Sequence, residues 1–272
     1  MPMKSCRLTI LTLAFFLLVV IPAHTQSQAI SNYFTTTDGI RINYEVNGTG
    51  KSVILIHGFM NTQENWKKAA LYNDLSTAGF KVITIDLRGN GKSDKPHQPA
   101  SYAHDAEAKD VMQLISLLNV SNYFVVGYSR GAIIASRLLI LDKRVTKTVI
   151  GGMGSDFTNP NWPRRIMFYR ALNNEDVPEL KDMIKRVQDS GLDQQALAYQ
   201  QKEQPTTSSE EFKSVRTPVL VICGDVDDAN GSADVLSTLI PTSVLKKVPG
   251  DHNGTARTQK FSDEVISFLQ KK

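Results

Sequence analysis

The chain has almost no cysteine. Of its two, Cys6 falls in an N-terminal leader, which leaves Cys223 as the only one in the body of its 272 residues and excludes an internal disulfide. Cys223 lies in the apolar run 218–223 and reads as a small buried hydrophobe rather than a nucleophile. The five histidines are scattered, and no His/Cys/carboxylate spacing resembles a metal-ligand set, so no metal or cofactor is expected. No block of Lys or Arg stands out, and Lys4 and Arg7 of the leader supply two charges of a formal net +4, so a nucleic-acid surface is not expected. Repeats and low-complexity stretches are missing too. One long apolar run exists, Leu8 to Ile21, and it is short against the ~20 residues of a membrane span.

That run follows Lys4 and Arg7 and gives way to Pro22 and Ala23-His24-Thr25, the pattern of a secretory signal over residues 1–29, cleaved near Gln26 or Ile30. No cysteine ends the run, so a lipid anchor is not expected, and no stable membrane span remains after signal removal. Asn47, Asn119, Asn230 and Asn253 each open an Asn-x-Ser/Thr sequence. Two of these lie beside the candidate site derived below, where glycans would obstruct it. The expected location is therefore periplasmic or secreted, from a bacterium rather than a eukaryote.

From residue 30 onward, buried strands alternate with helices. A hairpin is expected over 30–37 and 40–47, joined by a two-residue Asp38-Gly39 turn. Strands follow at 53–56, 82–85, 123–127, 145–153, 218–223 and 243–248, and helices are expected over 62–78, 105–118, 131–141 and 232–239 and at the C-terminus. Continuously apolar strands between helices imply a mostly parallel sheet covered on both faces. Residues 155–213 break the alternation: they are polar, helix-prone and punctuated by Pro160, Pro163, Pro178 and Pro205. Helices near 163–172, 177–189 and 193–203 make this segment an insertion over one end of the sheet, leaving 30–272 as one domain with a small cap.

The apolar strand at 123 ends in Gly127-Tyr128-Ser129-Arg130-Gly131, and helix-compatible sequence starts at once. A serine between a strand and a helix sits on a strained turn, which glycines two residues before and after it make possible. A serine hydroxyl needs a base, and the base needs an acid to orient it. Only His252 follows Ser129, in a loop after a strand, while His97 and His104 lie in or near a polar loop. Asp225, Asp227 and Asp228 follow another strand and supply three candidate acids, and Asp156 follows a third strand.

These features resemble the α/β-hydrolase superfamily: His57-Gly58 after one strand, Asp86-x-Arg88-Gly89-x-Gly91-x-Ser93 after the next, Gly127-x-Ser129-x-Gly131, Gly224-x-x-Asp227 and Pro249-Gly250-x-His252. The resemblance runs from Phe34 to near the C-terminus. It implies an α/β fold with a mostly parallel central sheet of about eight strands, helices on both faces and a helical cap. It selects Asp227 as the acid over Asp225, gives the oxyanion hole to the backbone N–H groups of Phe59 and Arg130, and makes His57 a structural residue. The Arg130 side chain reads as a solvated or packing cation, and Asp86 and Arg88 as braces of their loops. Relatives that open epoxides or remove halogens use an aspartate where this chain has Ser129. The implied activity is hydrolysis of small or medium carboxylic esters through an acyl-enzyme, with acyl transfer, C–C bond hydrolysis, perhydrolysis or ligand binding as alternatives. Trp162, Ile166, Met167, Phe168 and Tyr169 are candidates for the pocket wall, or else pack the cap onto the body.

Overall fold

The computed structural model describes Met1, Met3 and residues 30–271, so the segment 1–29 expected to be a signal lies, but for Met1 and Met3, outside the described residues. Eight strands form one sheet: β1 Ile30–Thr35, β2 Arg41–Asn47, β3 Ser52–Ile56, β4 Lys81–Ile85, β5 Tyr123–Tyr128, β6 Val145–Gly151, β7 Val219–Gly224 and β8 Ser243–Val248. Their order is β1-β2-β4-β3-β5-β6-β7-β8, with β2 antiparallel to both neighbours and the other pairs parallel. The helices are α1 Gln63–Lys67, α2 Ala70–Thr77, α3 Ala106–Leu117, α4 Arg130–Leu141, α5 Pro163–Leu172, α6 Lys181–Asp189, α7 Gln194–Lys202, α8 Ser209–Lys213, α9 Ala233–Leu239 and α10 Gln259–Gln270.

Period-two alternation within apolar strands divides the core. On β3, Ile54 and Ile56 face the layer of α3, α4 and α9, with Val111, Ile133, Leu138 and Leu236. Val53 and Leu55 face the opposite layer of α1, α2 and α10, with Trp66, Leu75, Phe261 and Val265. Every residue of β3 is buried, as a strand covered on both faces requires.

Two local expectations change. The β1–β2 connection is a three-residue loop, Thr37-Asp38-Gly39, closed by the Gly39 N–H on the Thr36 carbonyl at 2.9 Å, with φ of +86° at Gly39 alone. A two-residue type I′ turn would need positive φ at Asp38 as well. The helix expected over 62–78 breaks at Ala69, which is extended. In one continuous helix Trp66 and Leu71 would point about 140° apart; the break lets both face the sheet.

From β3 the chain turns to β4 on one side, and β5 then starts the other half of the sheet. The connection after β3 enters the α1/α2 layer and that after β5 enters the α4 layer. The two therefore diverge and open a crevice at the strands' carboxyl ends. The insertion between β6 and β7 roofs that end. It has its own apolar cluster, including Leu172, Leu180, Met183, Val187 and Leu197, and Phe59 and Met60 from the loop after β3 pack against it.

Candidate active site

Ser129 sits at the tip of the turn between β5 and α4 with φ 55° and ψ −126°, a conformation L-residues rarely hold. Its N–H is tied to the Gly151 carbonyl of the neighbouring strand at 2.8 Å. The flanking glycines are required by contact: a methyl group on Gly127 would strike the Gly131 carbonyl, and one on Gly131 would strike the carbonyls of Ile56 and His57. The turn is thus compressed against β3 and can hold no larger residue at either position.

His252 follows β8, and its Nε2 lies 2.9 Å from Ser129 Oγ. Its Nδ1 lies 3.0 and 3.2 Å from the two carboxylate oxygens of Asp227, whose side chain is 3% exposed. With Nδ1–H donated to Asp227, Nε2 is left to accept from the serine. One further group holds the histidine and a second lies beside it. The Tyr128 hydroxyl donates to the His252 carbonyl at 2.8 Å, and the two rings lie 5.6 Å apart. The Asn230 amide lies 3.3 Å from Nδ1 but also 3.2 Å from the Gly152 carbonyl; since the Nδ1 proton points to Asp227, the amide hydrogen goes to Gly152. Sequence reasoning missed both residues, and Asn230, noted only for its Asn-x-Ser sequence, is buried. The other candidate acids lie elsewhere: Asp225 accepts from the Gly250 N–H at 3.0 Å, and Asp156 lies against Gly231.

The loop after β3 closes the other side. His57 is 2% exposed; its Nδ1 donates to the Gly58 carbonyl at 2.8 Å and its Nε2 accepts from the Leu87 N–H at 3.1 Å. Burial lowers its proton affinity, so the neutral ring is a fixed part of the loop. Phe59 and Arg130 both line the cavity above Ser129, and their backbone N–H groups have no partner among the described residues. The Arg130 side chain is not solvated: it forks onto Glu107 of α3, at 2.6 Å for one pair of atoms, with both residues buried. It also reaches the Gln200 carbonyl of the cap at 3.2 Å. Arg88 is buried likewise, against Asp110 and Asp38, and Asp86 accepts from the N–H groups of Gln63 and Lys92. Cys223 is buried in the core, where desolvation raises its thiol pKa.

The cavity has a volume of about 560 Å³ and reaches from Ser129 and His252 to the cap. Trp162 and Phe168 line it; Ile166 and Tyr169 do not. On α5, Arg164, Arg165 and Phe168 share the inner face, as residues i, i+1 and i+4 do. Ile166 projects outward and is 38% exposed, while Met167 and Tyr169 pack on the cap's apolar cluster.

Residues 51–179 match the family model described as alpha/beta hydrolase fold. Over 106 residues the chain is 37% identical to epoxide hydrolase 3 of Siraitia grosvenorii, a match covering 39% of this chain. The chain spans about a third, 33%, of that relative's length. Among solved structures, the esterase EaEST from Exiguobacterium antarcticum superposes with a TM-score of 0.75 at 19% identity, over 89% of this chain and 100% of the other. A bromoperoxidase from Bacillus anthracis superposes with a TM-score of 0.71 at 24% identity, again over 89% and 100%. The chain therefore has the α/β-hydrolase fold.

Proposed function

We propose that this chain, which has the α/β-hydrolase superfamily fold, is a serine hydrolase of carboxylic esters or closely related acyl substrates. The observation that carries this reading is the hydrogen-bonded chain from Ser129 through His252 to Asp227. In this mechanism His252 Nε2 takes the hydroxyl proton as Ser129 Oγ attacks the ester carbonyl. Asp227 holds the ring and stabilises the imidazolium that forms. The carbonyl oxygen becomes an oxyanion between the N–H groups of Phe59 and Arg130, the latter at the start of α4, where the helix dipole favours negative charge. The intermediate collapses, His252 gives its proton to the leaving alcohol, and water activated by the same histidine clears the acyl-enzyme. Residues 1–29 serve in this reading as the export signal, so the enzyme acts in the periplasm or outside the cell.

The name of the Siraitia relative raises epoxide opening. Attack of Ser129 Oγ on an epoxide carbon would leave a dialkyl ether, with no carbonyl for water to attack, and turnover would stop after one event. A serine nucleophile suits acyl carbon instead. A second reading shares the acyl-enzyme but clears it with hydrogen peroxide, releasing a peracid and the free serine; a peracid oxidises halide ions, and a bromoperoxidase is among the full-length fold matches.

The test is a p-nitrophenyl ester series from acetate to decanoate, with and without hydrogen peroxide, on the protein from residue 30 onward. Ester turnover that vanishes in Ser129→Ala supports the hydrolase, and peracid production exceeding hydrolysis would move the second reading to first place. Turnover retained in Ser129→Ala would sink both.

A further inference from the structure

Six described arginines are buried or half-buried, and they divide into two groups. Arg88 pairs with Asp38 and Asp110, Arg130 with Glu107, Arg137 with Asp105 and Glu211, and Arg144 with Asp142. Arg164 and Arg165 pair with no carboxylate among the described residues, and both line the cavity above Ser129. Arg164 sits over Phe168, its guanidinium carbon 4.9 Å from the ring centroid, and has no hydrogen-bond acceptor among the described residues. Arg165 spends its terminal nitrogens on the carbonyls of Gln201, Lys202 and Pro160, at 3.0, 2.8 and 2.8 Å. Those carbonyls fix its position but supply no ion pair, and its Nε is a buried donor without a partner. The indole Nε1 of Trp66, which lines the same cavity, is another.

A half-buried cation without a counter-charge is unfavourable, and a protein keeps one where a ligand completes it. Desolvation pulls both guanidinium pKa values below the ordinary arginine value, outweighing the carboxylates of Asp227 near Arg164 and Glu203 near Arg165, neither of which forms an ion pair with them. The cavity's own acids, Glu179 and Asp182, are exposed and bind neither arginine. The buried unpartnered side-chain atoms of the cavity-lining residues, Nε1 of Trp66 and Nε of Arg130 and Arg165, are all donors. The planar fork of Arg164, backed by the ring of Phe168, matches a carboxylate.

We propose that the cavity selects esters that themselves carry a carboxylate, held by Arg164 with Arg165 behind it. This rests on the hydrolase reading above and names its substrate class: half-esters of short dicarboxylic acids.

The experiment compares monoethyl glutarate with ethyl pentanoate, and separately titrates the protein with glutarate. The chain's two tryptophans, Trp66 and Trp162, both line the cavity, so their fluorescence reports binding without catalysis. The expected kcat/KM for the half-ester exceeds that for the neutral ester by at least about tenfold, mostly through KM. In Arg164→Gln the ratio falls to near one, and Arg164→Lys restores part of it. Glutarate gives a saturable fluorescence change that Arg164→Gln weakens about tenfold and added NaCl suppresses. Turnover of ethyl pentanoate with a ratio near one in both proteins, and no saturable glutarate response, overturns the anion site and leaves the hydrolase standing. A saturable, Arg164-dependent glutarate response without turnover of either ester supports the site and removes the hydrolase.

Discussion

The serine turn and helix α5 of the cap face each other across one cavity and are built on opposite terms. The turn is made of backbone. Gly127 and Gly131 let β5, α4 and β3 approach so closely that no side chain fits between them, and Ser129 is held at φ 55° by that compression. Helix α5 is made of side chains. It turns Arg164, Arg165 and Phe168 to the cavity while Ile166 faces solvent. The first region leaves its reactive atom one position, and the second sets what can reach it. On the proposed function, the part that does chemistry is the one whose packing admits no larger residue, and the part that would select substrate is the one built from side chains.

Substitutions should divide along the same line. Removing the hydroxyl in Ser129→Ala has the largest expected effect, a loss of about 10⁴ to 10⁶ in kcat, read by steady-state ester hydrolysis. Asp227→Asn comes next, at about 10⁴ in kcat with little change in KM, because the amide favours the wrong imidazole tautomer. Glu107→Gln leaves Arg130 buried without its charge partner beneath the turn. It should cost about 3 to 5 kcal/mol of stability in urea titrations, and activity per folded molecule should fall too as the Arg130 N–H shifts. Gly131→Ala breaks the turn by contact, with an expected cost of at least about 3 kcal/mol by the same assay. Arg164→Gln is the mildest: the unfolding midpoint stays within about 2 °C of the parent, and only the ratio between charged and neutral esters moves. An Arg164→Gln protein as damaged as Gly131→Ala would erase the distinction between the two regions.

This division also explains what could be read before the fold was seen. The strands, the serine turn and the residues Ser129 and His252 follow from apolar runs, glycine spacing and position after a strand, all local in sequence, whereas local reading left three aspartates open and the family resemblance chose Asp227. The face of α5 does not, because Pro163-Arg164-Arg165-Ile166-Met167-Phe168-Tyr169 mixes apolar and charged residues with no stripe to orient it. Hence Ile166 and Tyr169 were expected on the wall, and the two arginines that line it were not. Asn230 escaped notice for a related reason: a polar residue in a polar loop gives no sign that it alone is buried, beside Gly152 and His252. The Thr37-Asp38-Gly39 loop differs by one residue from the favoured Asp-Gly turn, and only pairing across the strands decides between them.

The central claim is that Ser129 is an activated nucleophile. The most direct test exposes the protein from residue 30 onward to a fluorophosphonate and measures its intact mass, beside Ser129→Ala and His252→Ala. The account predicts one adduct, mapped to Ser129, absent in the first variant and formed at least about a thousandfold more slowly in the second. An unmodified protein, or an adduct that persists in Ser129→Ala, would contradict it.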